Sequence, residues 1–343
     1  MAEKVLDVKD LNVTFETYQG SVQAVRGVSF HVNRKETVGI VGESGCGKSV
    51  TIRTVMGLHQ KSPGAVMRGE ALFEGRDVLK MNDKEIMDIL GNRMSMIFQD
   101  PFTFLNPTMQ VGRQITETYL RHHRVSGREA HEKALSILRL ISFPNPEQNM
   151  KRYPHQLSGG MRQRIMIAMA LICEPAVLFA DEPTTALDVT IQAQIIDLMN
   201  SLKDKTDTSI VLITHDMGVV AKMVDRLYVM YAGKIVEHGS ADALFHRPRH
   251  PYTWGLLDSV PRLDERTKEE LHSIPGMPPD LIDPPAGCPF AARCRYAMKI
   301  CQRQMPSQFS LDGEGHAAAC WMCHPEYVER FGETGREGRQ NEK

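Results

Sequence analysis

This sequence predicts an α/β fold on a parallel sheet, with a helical insertion inside it and a small cysteine-bearing segment behind it. Three observations carry the prediction. Short apolar runs at 38–41, 94–98, 176–180 and 209–214 alternate with helical stretches, the pattern of strands buried beneath helices. From 107 to 172 the apolar residues fall three to four apart, and no strand intervenes. Beyond Pro248 the composition changes: proline, glycine, charge and cysteine all rise.

Taken in order, Val5 to Phe15 and Val22 to Val32 alternate apolar and polar residues, as neighbouring strands of an antiparallel β-subdomain would. The run 38–41 then enters a glycine-rich turn that opens a helix with apolar positions at Ile52, Val55, Met56 and Leu58. A charged helix and the strand 94–98 follow. Two stretches of three-to-four spacing lead to the breakers Pro144, Pro146 and Pro154, and a helix begins near Ser158. After the strand 176–180 come a helix from about 189 to 204, the strand 209–214, and a hairpin turning at Ala232-Gly233. "IPGMPPDLIDPPAG" (274–287) reads as a linker, and the polar residues 326–343 read as a disordered tail. The expected domains are 1–260, with a helical subdomain at about 105–172, and an extension at 261–325.

The charges nearly cancel, with 41 Lys and Arg against 42 Asp and Glu. That balance gives no footing for a nucleic-acid partner. No secretory signal and no run of about eighteen apolar residues is visible. The expectation is a cytosolic chain that meets a membrane only through protein partners. In that compartment structural disulfides are disfavoured.

"GESGCGKS" (Gly42 to Ser49) matches the phosphate-loop pattern G-x-x-x-x-G-K-[ST]. Gly42, Gly45 and Gly47 let the backbone curl so that N–H groups point inward, with Ser44, Cys46 and Val50 beside them. The following helix turns its positive end to the same anion. Lys48 reaches the terminal phosphates, and Ser49 can ligate Mg²⁺. Cys46 reads as a small residue the loop tolerates. In "AVLFADEP" an apolar strand ends at Asp181, placed to hold Mg²⁺, and at Glu182, placed to polarise an attacking water. Gln99 in "MIFQDP" and His215 in "VLITHD" end other strands in the same way. "LSGGMRQR" sets Ser158 as an N-cap with Gly159 and Gly160 behind it, a second anion-binding helix start.

With "GESGCGKS", "FQDP", "LSGGMRQR", "LFADEPTTALD" and "ITHD" in this order over residues 1 to about 245, the chain resembles the ATP-binding subunits of ABC transporters. The resemblance implies a P-loop NTPase fold: a RecA-like core, an antiparallel β-subdomain and a helical subdomain. It implies that Tyr18, rather than Phe15, stacks on adenine. Gln99 senses Mg²⁺ and the attacking water, and His215 contacts the γ-phosphate. Ser158, Gly159 and Gly160 cap ATP held by an opposite subunit, with Asp188 in the loop at the interface. "RPRHPYTWGLLDSVP" (247–261) is similar to the His-Pro-Tyr extension of the dipeptide and oligopeptide importers, which nickel and some other small-solute importers share. The implied partners are two permease subunits, a second ATPase chain, related or identical, and indirectly an extracytoplasmic solute-binding protein. The implied location is the cytoplasmic face of the membrane. A nucleic-acid-associated ATPase of this class would carry two nucleotide domains or a coiled-coil insertion, and an exporter would carry fused spanning helices; neither pattern is present.

Five of the seven cysteines fall at 288–323. The spacing of four of them, Cys288, Cys294, Cys301 and Cys320, matches neither the C-x₂-C pairs of zinc modules nor ferredoxin runs, so chemistry alone leaves zinc, an iron–sulphur cluster or free thiols open, with His316 as a substitute ligand. "CPFAARCRYAMKIC" and "HAAAC" resemble the importer extension, in which these four positions look like ligands of a [4Fe–4S] cluster. Zinc is then the alternative, and Cys323 a spare or a replacement for Cys320.

Overall fold

The computed structural model describes residues 3–60, 62–184, 188–259, 274–311 and 315–332. The chain divides into two compact units. One is built mainly from residues 73–213, with short pieces at 1–6 and 32–37; the other comprises residues 7–31, 38–72 and the chain after 213.

The first unit carries three parallel strands. Val177–Asp181 lies between Met94–Ile97 and Ser209–Thr214, with Met94 opposite Val177 and Val177 opposite Ser209. All three are buried along their whole length, which is why they read as unbroken apolar runs rather than as alternation. The insertion supplies helices Val111–His122, Gly127–Leu140 and Gly159–Leu171. Gly127–Leu140 starts on a reciprocal cap: Ser126 Oγ accepts from the Glu129 N–H at 3.2 Å, and the Glu129 carboxylate accepts from the Ser126 N–H at 2.7 Å. Such a cap contributes about 1 kcal/mol. Gly159–Leu171 buries Ile165, Met166, Ile167, Ala168 and Leu171, more than one face, because it packs on both other helices. Ile115, Leu138 and Ile165 are fully buried, each stabilising by roughly 2 kcal/mol through lost apolar exposure.

In the second unit, strands Lys4–Thr17 and Gly20–Asn33 are joined by the two residues Tyr18-Gln19, so they run antiparallel. Ala65–Phe73 pairs on the other side of Lys4–Thr17. The sequence does not announce this strand, because its first six residues are exposed or half-buried. Thr37–Val41 runs parallel to Arg226–Tyr231, Val38 facing Arg226. The predicted hairpin follows: Ala232 (φ 46°) and Gly233 (φ 78°) turn the chain into Lys234–Ser240. Two successive left-handed residues match the twist of the flanking strands.

The sheet continues into the extension. Ala317–Ala318 pairs antiparallel with Lys234–Ser240, Glu237 facing Ala318, and Phe309–Ser310 pairs with Ala317–Ala318 in turn. Two short strands of the expected 261–325 extension thus form an edge of this unit's own sheet. Glu237, fully buried, seals the joint. Its carboxylate accepts from the N–H groups of Arg249 (2.7 Å) and His250 (3.0 Å) and pairs with His316 Nε2 at 2.9 Å.

Two further expectations are corrected. Residues 274–287 have no regular secondary structure, but they are tied down rather than a loose linker. The Leu281 carbonyl accepts from the Gln23 N–H at 2.8 Å, and Ile282 lies so close to Gly20 that a Cβ there would stand 2.9 Å from its Cγ2. The tail begins in a helix, Pro325–Phe331, whose first turn is capped by His324 Nδ1 accepting from the Glu326 N–H at 3.2 Å. Residues 333–343 of the expected tail lie outside the described residues. Among the described residues no helix is long and apolar enough to cross a membrane.

Candidate nucleotide site and cysteine pocket

The strand Thr37–Val41 ends at Gly42, and Gly47 caps the helix Lys48–Val55. Both glycines are sterically required. Gly42 has φ 152° and a Cβ there would sit 2.1 Å from the Met230 carbonyl oxygen; Gly47 has φ 102° and a Cβ would sit 2.3 Å from that of Ala24. Lys48 is buried, and its ammonium donates to the carbonyls of Gly42 (2.7 Å) and Glu43 (2.9 Å). A cation on a curled backbone at a helix N-terminus makes an anion cradle. Cys46 is buried and burial pushes its thiol up, partly opposed by Lys48, which fits a packing role and not a reactive one. Tyr18 is fully exposed at the hairpin turn, whereas Phe15 packs edge-on to His59 at 5.4 Å. His215 is exposed directly after the strand Ser209–Thr214, and Asp216 beside it caps the next helix, accepting from the Gly218 N–H at 2.8 Å.

In the first unit Asp181 is buried at the end of its strand. Glu182 follows with φ 47°, a left-handed conformation uncommon outside glycine and concentrated at functional positions. Its N–H donates to the Ile213 carbonyl at 2.8 Å, and its carboxylate accepts from Gln99 Nε2 at 3.0 Å. Gln99 and Glu182, 83 residues apart, thus meet at the ends of neighbouring parallel strands.

Ser158 caps Gly159–Leu171, its Oγ accepting from the Met161 N–H at 3.4 Å. Asp188 caps Val189–Lys205, accepting from the Ile191 N–H at 2.9 Å. The two helix starts adjoin: a Cβ on Gly160 would lie 2.8 Å from Ile191 Cγ2. Residues 185–187 of "TTALD" lie outside the described residues. Sequence reasoning missed Gln163. It is buried, and its Nε2 donates to the Pro183 carbonyl at 2.7 Å, tying the "LSGG" helix to the turn behind Glu182. No local signal marks it, since it sits between the half-buried Arg162 and Arg164.

Cys288, Cys294, Cys301 and Cys320 line one pocket, with His250, Phe290 and Met298 among its other walls. The Cys288 N–H donates to the Cys301 carbonyl at 2.7 Å, and a Cβ on Gly287 would come within 2.1 Å of the same oxygen, so the backbone there is drawn tight. Burial pushes the Cys288 thiol up to about 12, with the other three cysteines adding to the rise. A bound cation would favour the thiolate forms and displace protons. Among the described residues no three His, Cys, Asp or Glu side chains converge as they would on a single metal ion. Cys323 is buried next to Cys320 in a small apolar cluster with Trp254 and Met322, and it does not line the pocket. His316 does not line it either, and its Nε2 is engaged by Glu237, which corrects its expected role as a substitute ligand.

The comparisons with known proteins agree with these motifs. The model of the ABC transporter family matches residues 25–185, and the model described as the oligopeptide/dipeptide transporter C-terminal region matches 236–301. The chain is 54% identical to an oligopeptide transport ATP-binding protein of Bacillus subtilis, covering 94% of this chain and 90% of that one. It is 56% identical to a dipeptide transport ATP-binding protein of the same organism, covering 93% and 95%. Among solved structures it resembles a dimeric ATP-binding cassette in a post-hydrolysis state bound to ADP and phosphate, with a TM-score of 0.62 and 25% identity over 69% of this chain and 98% of that one.

Proposed function

The chain belongs to the ATP-binding subunits of ABC transporters, in the oligopeptide and dipeptide branch, and from that membership we propose that it hydrolyses ATP to power import of di- or oligopeptides through two permease subunits. The observation that carries the hydrolytic reading is the Gln99–Glu182 hydrogen bond, which holds a carboxylate in a left-handed turn just past the buried Asp181. The relatives' names supply the class of solute.

In this reading the loop from Gly42 to Val50, including Ser44, Gly45, Cys46 and Gly47, wraps the phosphates, and Tyr18 stacks on adenine. Lys48 neutralises the terminal phosphates. Ser49, Asp181 and Gln99 offer hard oxygen donors suited to Mg²⁺, which supplies charge neutralisation at the phosphates when bound. Glu182, oriented by Gln99, takes a proton from the water that attacks the γ-phosphorus, and ADP leaves. His215 contacts the γ-phosphate. Ser158, Gly159 and Gly160, with Asp188 beside them, meet ATP held by a second ATPase chain, so that closure of the pair is transmitted to the permeases. The subunit then sits at the cytoplasmic face of the membrane as a peripheral protein, served indirectly by an extracytoplasmic solute-binding protein.

The cysteine pocket takes a [4Fe–4S] cluster held by Cys288, Cys294, Cys301 and Cys320. Four thiols around one pocket support it together with the resemblance of their spacing to the importer extension, and zinc on the same thiols is the alternative. Its role is structural, holding an extension with a small core.

The test replaces Glu182 by Gln. The purified variant should bind ATP but show no steady-state hydrolysis, and cells carrying it as their sole copy should not take up labelled dipeptide. Normal turnover would remove Glu182 from its role, and normal dipeptide uptake in cells lacking the chain would remove the solute assignment.

A further inference from the structure

Arg293 lies inside "CPFAARC", one residue before Cys294, yet it does not line the cysteine pocket. Its guanidinium reaches the phosphate loop instead. Nη1 donates to Glu43 Oε2 at 2.7 Å and to the Tyr231 hydroxyl at 3.2 Å. Nη2 donates to Glu43 Oε1 at 2.9 Å and to the Ile274 carbonyl at 2.9 Å, and Nε donates to the Pro275 carbonyl at 3.0 Å. All five N–H groups of the guanidinium therefore have a partner. The side chain is only 6% exposed, and it also lies within 6 Å of the ring centroids of Tyr231 and Phe290.

Glu43 is the second residue of the loop and is held at every polar group. Its N–H donates to the Tyr252 hydroxyl at 2.8 Å, its carbonyl accepts from Lys48 at 2.9 Å, and its carboxylate is forked by Arg293. The phosphate-loop pattern leaves this position open, so the loop itself makes no demand for an acid there. The acid answers an arginine 250 residues further on. On another side, Ser44, Gly45 and Cys46 share a cleft with Pro278, Pro279 and Leu281, the tied-down segment of the same extension.

We infer that Arg293 is a positioning residue for the nucleotide: by clamping Glu43 it sets the phosphate loop in its anion-binding shape, so the C-terminal extension sets the affinity of the cassette for ATP. A loop that must aim several N–H groups at one ligand binds more tightly when its ordering is done beforehand. A bidentate, partly buried arginine–carboxylate pair fixes both distance and plane, which a lysine could not do. The inference rests on the nucleotide-binding reading of this loop.

The experiment uses the full-length chain and measures equilibrium ATP binding together with KM and kcat. Arg293→Ala and Glu43→Ala should each weaken ATP binding about tenfold or more, with KM rising far more than kcat falls. The double variant should bind no more weakly than the weaker single one, because both remove the same clamp. Arg293→Lys should recover only part of the loss. Glu43→Ala leaves the extension's own residues in place, so it guards against an effect of unfolding. Wild-type ATP affinity in Glu43→Ala, or additive losses in the double variant, would overturn the inference while the nucleotide reading stands. Failure of the unaltered chain to bind ATP would overturn both.

Discussion

The phosphate loop and the cysteine-bearing extension lie in one compact unit and are shaped by opposite means. From Gly42 to Lys48 much of the shape is local: two glycines in left-handed backbone, and a lysine that folds back on carbonyls five and six residues away. The extension is shaped from a distance. Glu237 meets His316 across 79 residues, the Leu281 carbonyl meets Gln23, and Arg293 meets Glu43. The local frame still leans on distant groups, the Met230 and Ala24 carbonyls behind its glycines and Arg293 at Glu43. A long-range joint depends on the whole unit being assembled, and for the same reason it can transmit a change from one end of the chain to the other.

The largest expected effect attacks the local side. Gly42→Ala puts a methyl 2.1 Å from the Met230 carbonyl oxygen in a backbone conformation that side chains rarely adopt. Clash and strain together should cost about 3 kcal/mol or more, and ATP titration should show binding weakened about a hundredfold or lost. Near-normal affinity would mean that the loop takes its anion-binding shape without a glycine at this position. Next comes the long-range side. Glu237→Ala leaves two backbone N–H groups and His316 without their carboxylate, a loss of about 3 kcal/mol, to be read as a lowered melting temperature with new proteolytic cleavage in 274–287. An unchanged melting curve would show that the extension does not depend on this joint. The smallest effect should come from Cys301→Ser. On the proposed cluster assignment, anaerobically purified Cys301→Ser protein should lack the iron and the broad absorption near ~400 nm expected of the unaltered chain, while ATP affinity falls only a few-fold, less than in Arg293→Ala. Iron retained at the wild-type level would remove Cys301 from the ligand set.

Legibility followed the same divide. The strands at 177–181 and 209–214 could be read because burial on both faces leaves no polar alternation. The strand Ala65–Phe73 could not, since its first residues face solvent, and the paired strands Phe309–Ser310 and Ala317–Ala318 are too short for any periodicity to show. Asp181, Glu182, Lys48 and Ser158 were each visible at the end of an element. Gln163 was not singled out, because its partner is a backbone carbonyl twenty residues away, which no spacing rule indicates. The proline- and glycine-rich 274–287 announced irregular backbone correctly, but composition is silent on whether such backbone is anchored.

What the sequence determined by itself, then, is whatever a few neighbouring residues impose through sterics and charge: the glycine-turned phosphate loop, the capped "LSGG" helix, the strand-end carboxylates and the clustered thiols. Only the tertiary structure decided that Gln99 meets Glu182, that His316 serves Glu237 and not the thiols, and that the arginine before Cys294 grips the second residue of the loop. These contacts join residues 79 to 250 positions apart, and they exist only when burial and sheet pairing bring those positions together.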